Sequence, residues 1–428
     1  MFNVVVLLKP ETPTIKGDLY EFRLDAFPSI DFDQIKALME GRRVIFTYPG
    51  AEEEMIRSLL ELKPEYVDLD HLTPSSFVKE VRQKCKVICS YHNFENTPED
   101  LSSIPLFEAD EHKIATMANS TLDALRMLHY IKNKTHFTGI CMGEEGRLTR
   151  EVGAIVGSTF NFIPAGKPSA PGQLTFDELI PCHKNTHIYG LIGDPVTFSP
   201  SHITHNALFK ALNLNDIYVK MRVRPDELTS FFDLLKGLPF YGLSVTIPHK
   251  EKVLPGGVFN TLKKVGGHWE GKNTDGEGAL RAIEKRMSVE GKKILFIGSG
   301  GAARGIMEAA EKRGAEIIFY NRSPKENMPF RQIFQKEPYD ILINTTPVYD
   351  KLPLEASWID EGTLVFDIVA RPRETALIKE AKQKGCSVIY GEEMFVYQAA
   401  LQFEWWFDGC LDQDEVTRVL FTSSRGDR

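Results

Sequence analysis

The Gly-rich segment Gly298-Ser299-Gly300-Gly301-Ala302-Ala303-Arg304 lies between an apolar run at 293–297 and a helical pattern that ends near Arg313-Gly314. Strand, Gly-rich turn and helix in that order is what a dinucleotide pyrophosphate requires. Gly298 permits the tight turn, Gly300 lets the backbone approach the phosphates, and Ala303 keeps helix and strand close. The helix start offers free N–H groups and the positive end of its dipole to an anion. The next apolar run, 317–320, ends in Asn321-Arg322-Ser323. A carboxylate there would bind a ribose 2′-hydroxyl. Arg322 favours a 2′-phosphate instead, which points to NADP over NAD. The alternative for Arg322 is an ordinary solvated arginine.

A second set of reactive groups lies on short apolar runs in the first half. Glu21, Arg23 and Asp25 alternate with Tyr20, Phe22 and Leu24, and Asp68 and Asp70 alternate with Val67 and Leu69. His92 ends one run and Lys113 lies early in another. Strand side chains alternate faces, so each set of charges points one way. Buried charge is costly unless paired, so a converging cluster signals function, whereas one exposed face per strand is the plain alternative. A lysine held among carboxylates beside a histidine suits amine catalysis. A desolvated lysine can attack a ketone to form a Schiff base, and the iminium acidifies the neighbouring C–H. A histidine can move that proton. The reaction class is aldol-type cleavage or elimination next to a carbonyl.

The elements that must hold these groups follow from the pattern. Eight candidate strands, at 2–8, 20–25, 43–47, 66–72, 86–92, 112–117, 137–142 and 159–163, alternate with helical segments. That is the pattern of a (β/α)8 barrel, trimmed at 9–19, which is too short for a helix. Beyond a boundary at 177–185, a new strand at 187–192 opens into Gly193-Asp194-Pro195, and strand and helix patterns alternate to about 285. A nucleotide fold follows over about 290–390, and a final helical stretch at 397–407 carries Gln398. The 428 residues exceed one usual core, so two or three domains are expected. Hydrophobic content of 42% and charged content of 26% are those of a soluble globular protein, and a net charge of -8 argues against a general nucleic-acid binder. No run approaches the roughly 18 apolar residues of a membrane span. The first residues read as a strand and not a signal peptide. The six scattered cysteines show no metal spacing and read as reduced thiols of a cytoplasmic protein. No metal site is expected.

The first half resembles type I 3-dehydroquinate dehydratase. The resemblance rests on Glu21-Phe22-Arg23-Leu24-Asp25, Ser90-Tyr91-His92-Asn93-Phe94 with Thr97-Pro98, Lys113-Ile114-Ala115, Met142-Gly143, Arg150 and Ser169-Ala170-Pro171-Gly172-Gln173. It implies that Lys113 is the Schiff-base lysine and His92 the general acid/base. Asp70 then stands where the family has a glutamate that orients the histidine. Glu21 and Arg23 become substrate-hydroxyl and structural contacts, Arg150 grips the substrate carboxylate, and Ser169 and Gln173 lie on a mobile lid. The Pro, Gly and Ser content of 164–172 reads independently as a flexible loop, or as a linker. Three positions depart from the family: Thr47-Tyr48-Pro49, where an arginine commonly follows the threonine; Asn93 for the usual aspartate; and Asp70, one methylene short of glutamate.

The second half resembles shikimate dehydrogenase along nearly all its length. The matching residues are Gly193-Asp194-Pro195, Ser199-Pro200-Ser201, His205-Asn206, Val245-Thr246-Ile247-Pro248-His249-Lys250, Asn260-Thr261 and Asn273-Thr274-Asp275-Gly276. The Gly-rich turn, Asn321-Arg322-Ser323, Asn344-Thr345-Thr346, and Gly391 through Met394 to Gln398 complete the set. Lys250 and Asp275 look like the family's catalytic pair, with Lys250 moving the proton and Asp275 holding it and the reacting hydroxyl. Ser199 and Ser201 resemble the carboxylate-binding hydroxyls, and Thr246, Asn260, Asn273 and Gln398 the ligands of substrate hydroxyls. The cofactor falls to Gly298, Ser299, Gly300, Gly301 and Ala302, to Asn321, Arg322 and Ser323, and to Thr345. Phe198 replaces a usual histidine, Ser201-His202 a usual Ser-Pro pair, and a common tyrosine is lost near Ala370.

Together the resemblances imply an α/β chain with a barrel at 1–180, a substrate-binding lobe at 186–285, a Rossmann NADP-binding domain at 286–390 and a helical return at 391–428. Its small-molecule substrates would be 3-dehydroquinate and 3-dehydroshikimate, dehydrated and then reduced with NADPH. A metabolite sensor on the same folds, an inactive barrel, and quinate in place of shikimate stay open as alternatives, as does the oligomeric state.

Overall fold

The computed structural model describes residues 1–168, 170–197, 199–326 and 328–425. The chain divides into two compact units, Met1–Ile188 with Asn215–Pro239, and Tyr189–Leu214 with Phe240–Arg428.

The first unit holds eight parallel strands: β1 (Phe2–Leu7), β2 (Leu19–Arg23), β3 (Val44–Thr47), β4 (Tyr66–Asp70), β5 (Lys86–Asn93), β6 (Glu111–Met117), β7 (Phe137–Met142) and β8 (Phe160–Pro164). They run in chain order around the sheet, and β8 returns to pair with β1. The helices are α1 (Phe32–Met39), α2 (Glu53–Leu60), α3 (Ser75–Arg82), α4 (Thr121–Ile131) and α5 (Arg147–Val156). No helix covers the first crossover, as its length requires. Residues 94–110 also lack one and carry only the single turn Leu101–Ser103, so the barrel is trimmed twice.

Alternation sorts the strand residues. Outward-facing Val5, Phe22, Phe46, Val67 and Leu69 pack on helix residues such as Ile35, Leu38, Leu59 and Val81. Val4, Leu19, Ile45, Tyr66, Ile88 and Phe160 form a separate apolar cluster inside the barrel. Two residues further along the same strand faces stand Glu21, Thr47, Asp68 and Ser90. The barrel interior thus changes from apolar to polar toward the C-terminal strand ends, where barrel active sites form.

Residues 187–272 contribute a five-stranded sheet of β9 (His187–Gly193), β10 (Asp216–Arg222), β11 (Phe240–Val245), β12 (Thr261–Val265) and β13 (His268–Lys272), in the order β10-β9-β11-β12-β13. Its helices are α6 (Ser201–Ala211) and α7 (Leu228–Leu235). A third sheet holds β14 (Lys293–Ile297), β15 (Glu316–Tyr320), β16 (Arg331–Ile333), β17 (Ile341–Asn344), β18 (Leu364–Asp367) and β19 (Ser387–Ile389). All six are parallel in the order β16-β15-β14-β17-β18-β19, the 3-2-1-4-5-6 order of a dinucleotide-binding sheet. The remaining helices are α8 (Asp275–Glu284), α9 (Gly301–Lys312), α10 (Ala376–Gln383), α11 (Gly391–Trp406) and α12 (Gln413–Arg425). Ile294, Phe296 and Ile343 of this sheet share one core with Ala279 and Ile283 of α8 and Met394 and Tyr397 of α11. No described helix is long and apolar enough to cross a membrane.

Candidate active sites

Lys113 lies level with Ser90 in the pairing of β5 with β6, and Asp68 lies level with Thr47 in the pairing of β3 with β4. The Lys113 ammonium contacts the Asp68 carboxylate directly and stands 3.9 Å from Glu21 Oε1. Thr47 Oγ1 donates to Glu21 at 2.7 Å, which orients that carboxylate. All three charged side chains are buried. The Phe162 ring centroid lies 5.1 Å from Lys113 Nζ, and the Phe162 carbonyl accepts a long 3.5 Å bond from Arg150 Nη1. Arg150 is also buried, and its Nε has no partner among the described residues. Burial lowers its guanidinium to about 10. A buried guanidinium with an unsatisfied N–H is chemically suited to an organic anion. His92 lines a small cavity with Thr47, Asp68 and Ser90. Burial, and then the charge of Lys113, pushes its imidazole down to about 4, so it is neutral at pH 7 and able to accept a proton.

In the second unit, a cavity of about 260 Å³ is lined by Ser199, Ser201, Thr246, Lys250, Asn260, Asp275 and Gln398. Lys250 Nζ donates to Asp275 Oδ2 at 2.5 Å, and Asn260 Nδ2 donates to Asp275 Oδ1 at 2.8 Å. Asp275 is thereby held on both oxygens. It also opens α8, where the helix dipole favours a carboxylate. Ser199 and Ser201 hydroxyls lie 2.9 Å apart at the start of α6. A polar layer supports the cavity: Ser244 Oγ donates to Gln402 Oε1 at 2.9 Å, and Gln402 Nε2 donates to the Asn260 carbonyl at 3.4 Å. His205 lies 3.4 Å from the same Gln402 oxygen, and burial pushes it down to about 4.

The third sheet carries a cradle at its topological switch point. Gly298 follows β14 with φ +99°, and a Cβ there would lie 2.8 Å from Thr345 Oγ1, at the end of β17. Thr345 is itself fixed to the Ile297 carbonyl by both its N–H (2.9 Å) and its hydroxyl (2.6 Å). A Cβ on Gly300 would meet nothing within 4 Å, so the space above the turn is open. Gly300 caps α9 without a side-chain bond, which leaves the helix-start N–H groups for an anion. Asn321 Nδ2 donates to the Ser323 carbonyl at 2.9 Å and shapes the turn on which Arg322 stands exposed. These residues fit a dinucleotide bearing a 2′-phosphate.

Comparison with known proteins agrees with both family resemblances. Residues 8–188 match the family model of type I 3-dehydroquinase, 191–262 that of the shikimate dehydrogenase substrate binding domain, and 391–410 that of the shikimate 5′-dehydrogenase C-terminal domain. The chain is 32% identical to the chloroplastic bifunctional 3-dehydroquinate dehydratase/shikimate dehydrogenase of Arabidopsis thaliana, across 91% of this chain and 77% of that protein. It is 31% identical to the shikimate biosynthesis protein AroDE of Chlamydia pneumoniae, across 91% of this chain and 90% of that one. The chain belongs to the bifunctional 3-dehydroquinate dehydratase/shikimate dehydrogenase family. A crystal structure of a shikimate dehydrogenase in complex with NADP+ matches 56% of this family member and 97% of its own chain, with 32% identity and a TM-score of 0.52.

Within this bifunctional dehydratase/dehydrogenase, some residues expected at the sites are engaged by other partners. Asp70 lines the same cavity as His92, but it is exposed, and its Oδ1 accepts from Leu72 N at 2.9 Å and lies 3.2 Å from His71 Nδ1 in the turn after β4. Arg23 is engaged by Asp25 through bonds of 2.9 and 2.8 Å. Asn273 does not line the Lys250 cavity. Its Oδ1 accepts from Asp275 N at 3.0 Å, and its amide packs beneath Gly305 beside a different cleft. Gln173 N donates weakly, at 3.4 Å, to Ala170. Ser169 lies outside the described residues. Asp68, Thr47, Ser244 and Gln402 were given no role from sequence. For Asp68 the signal was present, since it shares the strand alternation of Asp70. The other three are small polar residues whose burial only the fold reveals.

Proposed function

We propose that the barrel dehydrates 3-dehydroquinate through Lys113 and His92, and that the second unit reduces 3-dehydroshikimate to shikimate at Lys250 and Asp275. Two lysine–aspartate contacts, the buried Lys113–Asp68 and the part-buried Lys250–Asp275, carry this reading.

In the barrel, Asp68 touches the Lys113 ammonium and can take its proton, freeing the amine to attack the ketone carbon. The carbinolamine loses water to become an iminium, which withdraws electrons from the adjacent C–H. His92, neutral through burial, accepts that proton; it then delivers it to the departing hydroxyl, which leaves as water as the C=C bond forms. Hydrolysis of the iminium restores Lys113. Arg150, whose buried Nε has no partner among the described residues, holds the substrate carboxylate throughout, with Glu21 available to a ring hydroxyl. Arg23, Asp70, Ser169 and Gln173 keep supporting roles around this set.

In the second unit, NADPH supplies the hydride. Ser199 and Ser201 hold the carboxylate, and Thr246, Asn260 and Gln398 receive the ring hydroxyls, with Asn273 acting through the Asp275 turn. Lys250 gives a proton to the oxygen as negative charge develops there and takes another from solvent, while Asp275 holds Lys250 and the reacting hydroxyl. Gly298 to Ala302, Thr345 and Asn321 to Ser323 hold the cofactor. By activity the chain divides at 1–180, 186–285, 286–390 and 391–428, and its unpaired cysteines suit a reducing, cytoplasmic setting.

The test is a coupled assay with 3-dehydroquinate and NADPH, following absorbance and shikimate. NADPH consumption with shikimate formed is the expected result. Silence with both 3-dehydroquinate and 3-dehydroshikimate overturns the catalytic reading and leaves a metabolite sensor.

A further inference from the structure

Segment 215–239 lies inside the stretch that matches the dehydrogenase substrate binding domain, yet it forms one compact unit with the barrel. The contacts are specific. Thr121 Oγ1, at the start of α4, donates to the Arg222 carbonyl at 2.6 Å. His129 of α4 lies 2.5 Å from the Leu234 carbonyl, and Lys132 Nζ donates to the Gly237 carbonyl. Arg222 Nη1 donates to Glu145 Oε1 at 3.2 Å. Arg224 Nη2 lies 3.9 Å from the same oxygen and donates to the Asn119 carbonyl at 3.1 Å. Arg224 is itself aimed by Glu227 at 2.8 Å. Lys220 of β10 completes a cationic row. Burial and Arg147 lower it, while Glu151 and Glu144 act the other way. Cations from the dehydrogenase sequence therefore face Glu144, Glu145 and Glu151 of the barrel.

Those carboxylates sit where the dehydratase site is assembled. Glu144 and Glu145 form the turn between β7 and α5. Glu144 Oε1 accepts from Gly172 N at 3.1 Å, and Gly172 comes so close to Gly143 that a Cβ there would lie 2.1 Å from its carbonyl oxygen. The same turn launches α5, which carries Arg150. A small shift of the turn therefore moves both the Gly172 contact and the guanidinium.

We propose that Arg222 and Arg224 are positioning residues of the dehydratase, clamping Glu145 so that the β7–α5 turn presents Arg150 and Gly172 to the substrate. The dehydratase is then incomplete without a piece of the dehydrogenase sequence. The inference rests on assigning Arg150 to the substrate carboxylate, so Arg150→Ala is measured beside it; an unchanged KM in that variant refutes the assignment alone.

The experiment uses the full chain. In Arg222→Ala/Arg224→Ala the KM for 3-dehydroquinate should rise about three- to tenfold, as expected for losing one or two charge-assisted contacts. The kcat should stay within about twofold, as should shikimate oxidation by the same variant. Glu145→Arg should raise KM equally, and Glu145→Arg with Arg222→Glu should return it to within about threefold of the parent. A purely structural role lowers the borohydride-trapped fraction and kcat without moving KM, and that result overturns the proposal. So does an unchanged KM in the double variant, or a raised KM that exchanging the charges does not restore. If the double alanine variant does not fold, the charge-exchanged pair decides alone: a parental KM supports the clamp and a raised one refutes it.

Discussion

Lys113→Ala removes one cation from a buried set that also holds Asp68 and Glu21, with side chains only 3% and 5% exposed. The reaction consequence is simple: no amine remains to trap the substrate, so borohydride should fix no adduct. The stability consequence is larger than for a surface lysine. Breaking a buried pair by deleting one partner costs about 3–5 kcal/mol, because the remaining charge is left uncompensated. For a unit of this size that lowers its melting transition by roughly 6–20 °C. Removing the second charge as well, in Lys113→Ala/Asp68→Asn, should recover part of the loss without restoring activity. Scanning calorimetry, mass spectrometry after borohydride, and shikimate oxidation measure the three effects. A melting shift under about 2 °C refutes the buried pair. Loss of shikimate oxidation in parallel refutes the independence of the two sites.

His92 stays neutral down to about pH 4, held there by burial and then by Lys113, so the limb of dehydratase kcat/KM that reports on it should fall only as pH drops through about 4. Because its folded value is depressed, the neutral histidine contributes stability above the ordinary imidazole range that is lost as pH falls; a rate limb near 6.5 contradicts its burial in the working enzyme. Lys250→Ala should cut shikimate oxidation about 10²–10⁴-fold in kcat while the NADP dissociation constant stays within about threefold. An effect on cofactor affinity alone contradicts its proton-transfer role. Arg322→Ala should lower the NADP-over-NAD preference in kcat/KM by about ten- to hundredfold, the worth of one charge-assisted bond to a phosphate. An unchanged ratio moves the 2′-phosphate contact to Arg304 or Lys325.

Most of the architecture was legible because both folds rest on strict periodicities. All eight barrel strands fall on the short apolar runs, and the Gly-rich turn after 293–297 announces the nucleotide sheet. The Lys250–Asp275 pair was legible from motif, and its cavity gathers eight of the assigned residues. The barrel site was legible in part. Parity put Asp68 and Asp70 on one face, but it cannot say which of them reaches the lysine. That depends on height: Asp68 lies level with Thr47 inside the barrel, while Asp70 ends its strand and turns to Leu72. Asn273 was misplaced for a related reason. Asn260 and Asn273 are chemically alike, and only the start of α8 separates the one that faces the cavity from the one that caps the turn. The joining of 215–239 to the barrel had no local signal, since a strand and helix look the same whichever neighbour they pack upon.

Helix α11 brings Met394 and Gln398 to a cavity whose other walls begin at Leu191. Its place late in the chain gives the two activities different birth times on the ribosome. The barrel unit has all its residues once Pro239 has been made, whereas the reductase cavity lacks a wall until α11 is complete at Trp406. At about 5–20 residues per second, that gap is on the order of ten to thirty seconds. A premature stop within that interval yields a chain with every barrel residue and an open reductase pocket.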